Sequence, residues 1–255
     1  MPWRKRQIKL KTADEIEKMA VGGKILAEVF LEIRNLVQPG ALTAEIDTAI
    51  EKMIRDAGCV PSFKGYNGFP ASACISVNEE VVHGIPTQRE LLPGDIVGID
   101  VGLIWDGFHA DSAETLPVGQ ISDQAVQLLR VTEECLEKAI TKVQAGNRIS
   151  DIGIVVESHA RAHGFAVVES LVGHGIGRDM HEDPQVPNYR CFTAPDPVME
   201  EGLVIAVEPM INTGTKNVVT TTDQWTVVTA DKSLSAHFEH TVAVTANGPR
   251  VLTRR

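Results

Sequence analysis

Two apolar runs, each closed by a carboxylate, stand 108 residues apart: Gly94-Asp95-Ile96-Val97-Gly98-Ile99-Asp100 and Gly202-Leu203-Val204-Ile205-Ala206-Val207-Glu208. A shift of 106 aligns what precedes them, pairing Val37-Gln38 with Val143-Gln144, Gly40 with Gly146, Glu45-Ile46 with Asp151-Ile152, Glu51 with Glu157 and Gly58 with Gly164. Each copy reads as a helix stopped by Gly40 or Gly146, a second helix started at Thr43 or Ser150 and stopped by Gly58 or Gly164, and then strands. Further on, His109-Ala110-Asp111-Ser112 and Phe238-Glu239-His240-Thr241 occupy corresponding second strands, again with an acid among strand formers. The expected fold is α+β and pseudo-twofold, with a central antiparallel β-sheet covered by helices. Its halves would span about 12–118 and 119–255.

Asp106-Gly107 is a two-residue hairpin signal. With that turn, facing residues have numbers summing to 213, so Asp111 faces Gly102 and Asp100 faces Ala113. Side chains two apart share a face, which makes Asp100 and Asp111 diagonal neighbours about 7–8 Å apart at the backbone. Two carboxylates at that spacing can lean together onto cations.

A lone acid at a strand end reads as a cap or an exposed salt bridge. Asp100, Asp111, Glu208 and Glu239 make four on apolar strands, and each would cost several kcal/mol if ionised and unpaired. Bound metal is the natural compensation. Oxygen-rich ligands suit hard or intermediate divalent ions, and one imidazole shifts the preference toward Mn, Fe, Co or Zn over calcium.

His174, in Gly173-His174-Gly175-Ile176-Gly177, can supply that imidazole, with flanking glycines that let backbone and metal approach closely. His181 follows in His181-Glu182-Asp183-Pro184 as a nearby acid/base group. HExxH is absent, Pro184 opposes a continuing helix, and no full GxGxxG phosphate loop is present. His83, in Val81-Val82-His83-Gly84-Ile85-Pro86, precedes a turn. His109, His159, His163, His237 and His240 read as satisfied loop residues, although His109 and His240 stand beside candidate ligands.

The 255 residues, 43% apolar, suffice for one sizeable core. A formal charge of −10 repels phosphate backbones, so DNA is not an expected partner. Arg4, Lys5, Arg6, Lys9 and Lys11 form a basic N-terminal tail over residues 1–11 that reads as solvated, with contact to the RNA-rich ribosome as the sharper alternative. No apolar stretch of signal-peptide length follows it, and no run approaches roughly 18 apolar residues. A cytoplasmic protein without a membrane partner is expected. Cys59, Cys74, Cys135 and Cys191 show no CxxC pairing, so reduced thiols are the default.

Five motifs in order carry a specific resemblance: Ile99-Asp100-Val101, His109-Ala110-Asp111-Ser112, Gly173-His174-Gly175-Ile176-Gly177, Val207-Glu208-Pro209-Met210 and Phe238-Glu239-His240-Thr241. From about residue 8 onward the chain resembles the type I methionine aminopeptidases, peptidases of the pita-bread fold. The resemblance implies a single catalytic domain over 12–255 and removal of the first methionine from nascent polypeptides when the second residue is small. It implies two divalent ions, bridged by Asp111 and Glu239, with Asp100 completing one site and His174 with Glu208 the other. Such a centre activates a water and polarises the scissile carbonyl. Glu208 would also move the water's proton, His181 would hydrogen-bond the carbonyl oxygen, and His83 would contact the scissile amide nitrogen.

Methionine selection is implied at Tyr66, Phe69, Cys74, Met180 and Trp225, residues that suit a thioether and that otherwise read as ordinary core. Leu171 and Met180 depart from the family, which commonly has aromatic residues there. The start of the chain at the domain itself suggests a bacterial-type enzyme, and similarity to the family suggests a monomer. Two rivals share the fold. A proline-specific pita-bread peptidase would carry a large extra N-terminal domain; a non-enzymatic binding protein of this shape would have lost ligands.

Overall fold

The protein is described here by a computed structural model over residues 8–254. Arg4, Lys5 and Arg6 of the expected tail lie outside the described residues. Helix α1 (Ala13–Leu36) starts at a capping box in which the Glu15 amide donates to the Thr12 hydroxyl and the Thr12 amide to the Glu15 carboxylate. Helix α2 (Thr43–Asp56) has its counterpart in α4 (Ile149–Ala162), offset by 106 at both ends, and α3 (Asp123–Ile140) is the counterpart of α1.

The stops of α2 and α4 are matched in detail. Gly58 and Gly164 sit at φ +75° and +79°, just past each helix. Gly58 N donates to Arg55 O and Cys59 N to Ile54 O, while Gly164 N donates to Arg161 O and Phe165 N to Ala160 O. These are two Schellman motifs, each requiring a left-handed residue that glycine supplies without strain.

Three local expectations need correction. Gly40 and Gly146 do not stop α1 and α3, which end at Leu36 and Ile140; each glycine closes the connection that follows. Thr43 and Ser150 do not cap their own helices. The Thr43 hydroxyl donates to Thr87 O and accepts from Thr87 N, and the amide and hydroxyl of Ser150 donate to the Asp196 carboxylate. Tertiary partners thus satisfy the helix starts. Lys11 is not solvated tail: it is buried, its amide donates to Gly202 O and its ammonium pairs with Glu182, whereas Lys9 stays exposed while pairing with Asp179.

The central sheet is nine-stranded and antiparallel throughout. Across it run Val60–Pro61, Ile96–Trp105, Phe108–Pro117, Glu239–Thr245, Val204–Val207, Gly173–Gly175 and Glu182–Val186. Ala73–Val77 adds to the second of these and Gly248–Val251 to the fourth. The second strands of the two repeats therefore pair at the centre, flanked by the first strands. That order brings Asp111 and Glu239 to the middle, with Asp100 and Glu208 on either side.

The Asp106-Gly107 turn, with φ +47° and +77°, sets the hairpin register. Every facing pair from Ile96↔Pro117 to Trp105↔Phe108 sums to 213, so Gly102 faces Asp111 and Asp100 faces Ala113. Two apolar cores cover the sheet. One gathers Leu26, Ile33, Ile50 and Ile54 of α1 and α2 against Ile75, Ile99 and Leu103; the other gathers Leu128, Cys135, Ile152 and Val156 of α3 and α4 against Ile205 and Val242. Among the described residues no helix is long and apolar enough to cross a membrane.

Candidate metal centre

Ala113 is flanked in the sheet by Asp100 on one side and Glu239 on the other, and Asp111 lies two residues along the same strand. Thr241 ties the central strands together, accepting from the Asp111 amide at 3.1 Å and donating to the Asp111 carbonyl at 2.8 Å. His174 pairs with Ala206, which also faces Thr241, so its strand arrives on the far side of the same row. Donor atoms of Asp111, His174 and Glu239, all buried, lie within 4.8 Å of one another. His174 Nε2 is 3.6 Å from Glu208 Oε1, which closes the set.

The flanking glycines of His174 let neighbouring strands approach closely. A Cβ on Gly173 would stand 2.4 Å from Ala206 O, and one on Gly175 2.3 Å from Asp183 O. Within that frame His174 Nδ1 sits 2.9 Å from Gly175 O. A carbonyl only accepts, so Nδ1 carries the proton and Nε2 keeps its lone pair for a ligand. Burial, and then His181, push the imidazole down to about 3, so the ring is neutral at physiological pH.

The donor set fits divalent cations. Asp100 Oδ1, Asp111 Oδ1 and Glu239 Oε1 are buried without a hydrogen-bond partner among the described residues. Burial raises all four carboxyls, and neighbouring carboxylates raise Asp111, Glu208 and Glu239 further. Four acids that repel one another out of water need a shared positive charge, and four oxygens with one imidazole match metals of the manganese-to-zinc range.

All twelve expected site residues meet at one cavity of about 200 Å³. At one end stand Asp100, Asp111, His174, Glu208 and Glu239; the other is walled by Phe69, Cys74, Met180 and Trp225. Phe69 and Trp225 meet edge to face with centroids 5.2 Å apart. Cys74 faces Asp100 across the sheet, and its thiol is pushed up by burial and then by that acid, so it is a neutral wall. The Tyr66 hydroxyl lies 2.7 Å from His181 Nδ1, and the His181 ring stacks obliquely on His174 at 4.2 Å. His83 enters from a left-handed position at φ +59° and is held below its ordinary pKa by burial and by His181.

Phe63 and Asn67 also line the cavity, though nothing in their local sequence singled them out. His237 was read as a satisfied loop residue and is neither. It lies in the Ser235–His237 strand, its Nε2 has no hydrogen-bond partner among the described residues, and that atom sits 3.9 Å from both Glu208 Oε2 and Glu239 Oε2. Its place two residues before Glu239 was the available signal. His109 and His240 are satisfied, by Ser62 and Thr253, although both are in strands. Leu171 packs instead against a separate apolar cluster of Val81, Val82, Val168, Met210 and Val227.

Comparisons with known proteins agree with this geometry. A methionine aminopeptidase of Clostridium perfringens is 50% identical over 246 residues, 96% of this chain and 98% of that one. The crystal structure of methionine aminopeptidase from Thermotoga maritima superposes with a TM-score of 0.94 at 41% identity, covering 98% of this chain and all of its own. An Xaa-Pro dipeptidase from Bacillus anthracis shares the fold alone, with a TM-score of 0.78 at 21% identity, and this chain covers 62% of its length. The model of metallopeptidase family M24 matches residues 17–246, and the chain belongs to that family.

Proposed function

We propose that this protein is a methionine aminopeptidase that removes the first methionine from nascent polypeptides whose second residue is small. The observation that carries the reading is the direct opening of an apolar slot, built from Phe69, Cys74, Met180 and Trp225, onto the carboxylate and imidazole cluster. An unbranched thioether fits such a slot, and the bond one residue along then lies at the cluster. The activity named for its relatives at 41–50% identity supports the same assignment.

Asp111 and Glu239 would be shared between two divalent ions, with Asp100 completing one site and His174 with Glu208 the other. Manganese, cobalt, iron and zinc all suit this set. Bound there, the ions supply an activated water and a Lewis-acid contact to the scissile carbonyl. The protein's own groups do the rest. With the Tyr66 hydroxyl donating to His181 Nδ1, the neutral ring carries its proton on Nε2 and donates it in a hydrogen bond to the carbonyl oxygen as charge develops. His83 contacts the amide nitrogen, and Glu208 accepts the proton of the attacking water and returns it to the leaving amine. Beyond the slot an open groove bordered by Tyr66, Arg178 and His181 takes the remainder of the polypeptide.

Hydrolysis of Met-Ala-Ser, Pro-Ala-Ser and Ala-Pro by metal-stripped protein, titrated separately with the four metals, tests this. Metal-dependent release of methionine alone is expected. Cleavage of a proline-containing bond would move the protein to the dipeptidase branch of the fold, and no cleavage with any metal would make it a binding protein. We extend the reading to a cytoplasmic monomer that works beside the ribosome. Unchanged ribosome co-sedimentation after deletion of residues 2–7 would remove that last element.

A further inference from the structure

A second cluster of ligating side chains lies away from the cavity, where α3 meets α4. His159 lies in the last turn of α4 and His163 is the capping residue just past it, with rings 4.6 Å apart, and Glu134 reaches them from α3. One donor atom from each residue lies within 4.8 Å of the other two. His159 Nε2 is 2.7 Å from Glu134 Oε2. The His163 Nδ1–H is committed to the His159 carbonyl at 3.0 Å, which leaves Nε2 as its lone-pair nitrogen. Arg130 donates to the other oxygen of Glu134 at 2.6 Å and so orients the carboxylate, leaving Oε2 for the imidazoles. All three residues are half-buried, accessible to an ion from solvent yet fixed by their helices. None has a part in the peptidase reaction.

We propose that Glu134, His159 and His163 form a separate metal site for a borderline divalent cation of the zinc class, clamping α3 to α4. Binding would replace the His159–Glu134 hydrogen bond, with the His159 ring proton moving from Nε2 to Nδ1 so that Nε2 is free to ligate. Two imidazole nitrogens and one carboxylate then favour zinc, copper or nickel over magnesium or manganese, and a water from the open side completes a four-coordinate shell. The ion binds the native pair of helices and not the separated chain segments, so it stabilises the half of the fold that carries His174 and Glu208.

Zinc content per chain after dialysis at one fixed free zinc concentration tests the site. The proteins compared are the wild type, Glu134→Gln, the double variant His159→Ala/His163→Ala, and a centre variant, Asp111→Asn/His174→Ala. Wild type should hold one zinc more than the histidine double variant, the centre variant should keep that zinc, and Glu134→Gln should bind it more weakly. Alanine favours helix at position 159, and His163 lies just past the helix end with its backbone bonded to Ala160 O, so far-UV circular dichroism and methionine release by the double variant should match wild type. Copper bound to the centre variant should show hyperfine coupling to two imidazole nitrogens, and this signal should vanish when His159→Ala/His163→Ala is added. Equal zinc content in wild type and the double variant, or loss of the extra zinc from the centre variant, would overturn the proposal.

Discussion

Lys11 Nζ lies 2.6 Å from Glu182 Oε2 in an ion pair whose side chains are only 5% and 2% exposed. The pair supports the loop that joins His174 to His181. Glu182 Oε1 also accepts from the Asp179 amide, and a Cβ on Gly177 would meet the Lys11 stem at 2.5 Å and Glu182 Oε1 at 2.7 Å. A buried pair gains little over apolar residues of equal volume, but a single charge left behind is costly. Lys11→Met should therefore destabilise the protein by about 3–5 kcal/mol, on the order of 10 °C in thermal midpoint. The double substitution Lys11→Met/Glu182→Leu should recover most of that loss, as read by calorimetry.

The crowded acids at the centre lead to an opposite pair of effects. Removing one carboxylate should relieve repulsion in metal-free protein while removing a ligand. Asp111→Asn should be more stable than wild type in chelator, because it removes a buried carboxyl that its acidic neighbours push up and that in turn pushes up Glu208. Wild type should gain about 2.7 kcal/mol at a manganese concentration 100 times its dissociation constant, and the variant should gain far less and release no methionine.

His83 and His181 line the cavity without belonging to the ligand set. Each alanine variant should lose about 10²–10³-fold in turnover while wild-type metal content persists by atomic absorption. Tyr66→Phe should lower turnover less than His181→Ala, because it removes only the group that fixes the His181 tautomer. Full activity in either histidine variant would refute its assignment.

Trp225 is the half-buried wall of the methionine slot. Trp225→Ala should reduce kcat/KM for Met-Ala-Ser by about 10–200-fold, the range for a lost apolar contact in a specificity pocket. Metal content should not change. A variant that loses its metals instead would place Trp225 in support of the centre.

Glu51 illustrates the acid limb of stability. Lys64 at 2.6 Å, and then Arg55, hold its carboxyl down at about 2 from an ordinary 4.5. Because the folded value is the lower one, the stability that Glu51 contributes is present above pH 4.5 and is lost as pH falls through about 2. The advantage of wild type over Glu51→Gln should be small, about 0.2–1 kcal/mol for a solvent-facing pair, and should fade over that window in denaturant titrations.

The sequence alone determined whatever rests on short-range rules. The Asp106-Gly107 turn dictated ten facing pairs, because side-chain alternation carries one local geometry along a whole hairpin. Gly58 and Gly164 marked two helix ends because each helix leaves carbonyls that a left-handed residue lets the next amides satisfy. Acids closing apolar strands pointed to metal because an unpaired charge there is too costly to persist. Only the tertiary structure could decide which distant groups meet. It carried Lys11 from an apparent tail into the interior, gave Thr43 and Ser150 partners outside their own helices, and turned the Nε2 of His237 toward Glu208 and Glu239. The glycines beside His174 likewise admit the backbone of neighbouring strands. Each of these depends on contacts between segments far apart in the chain, where no periodicity or turn signal reaches.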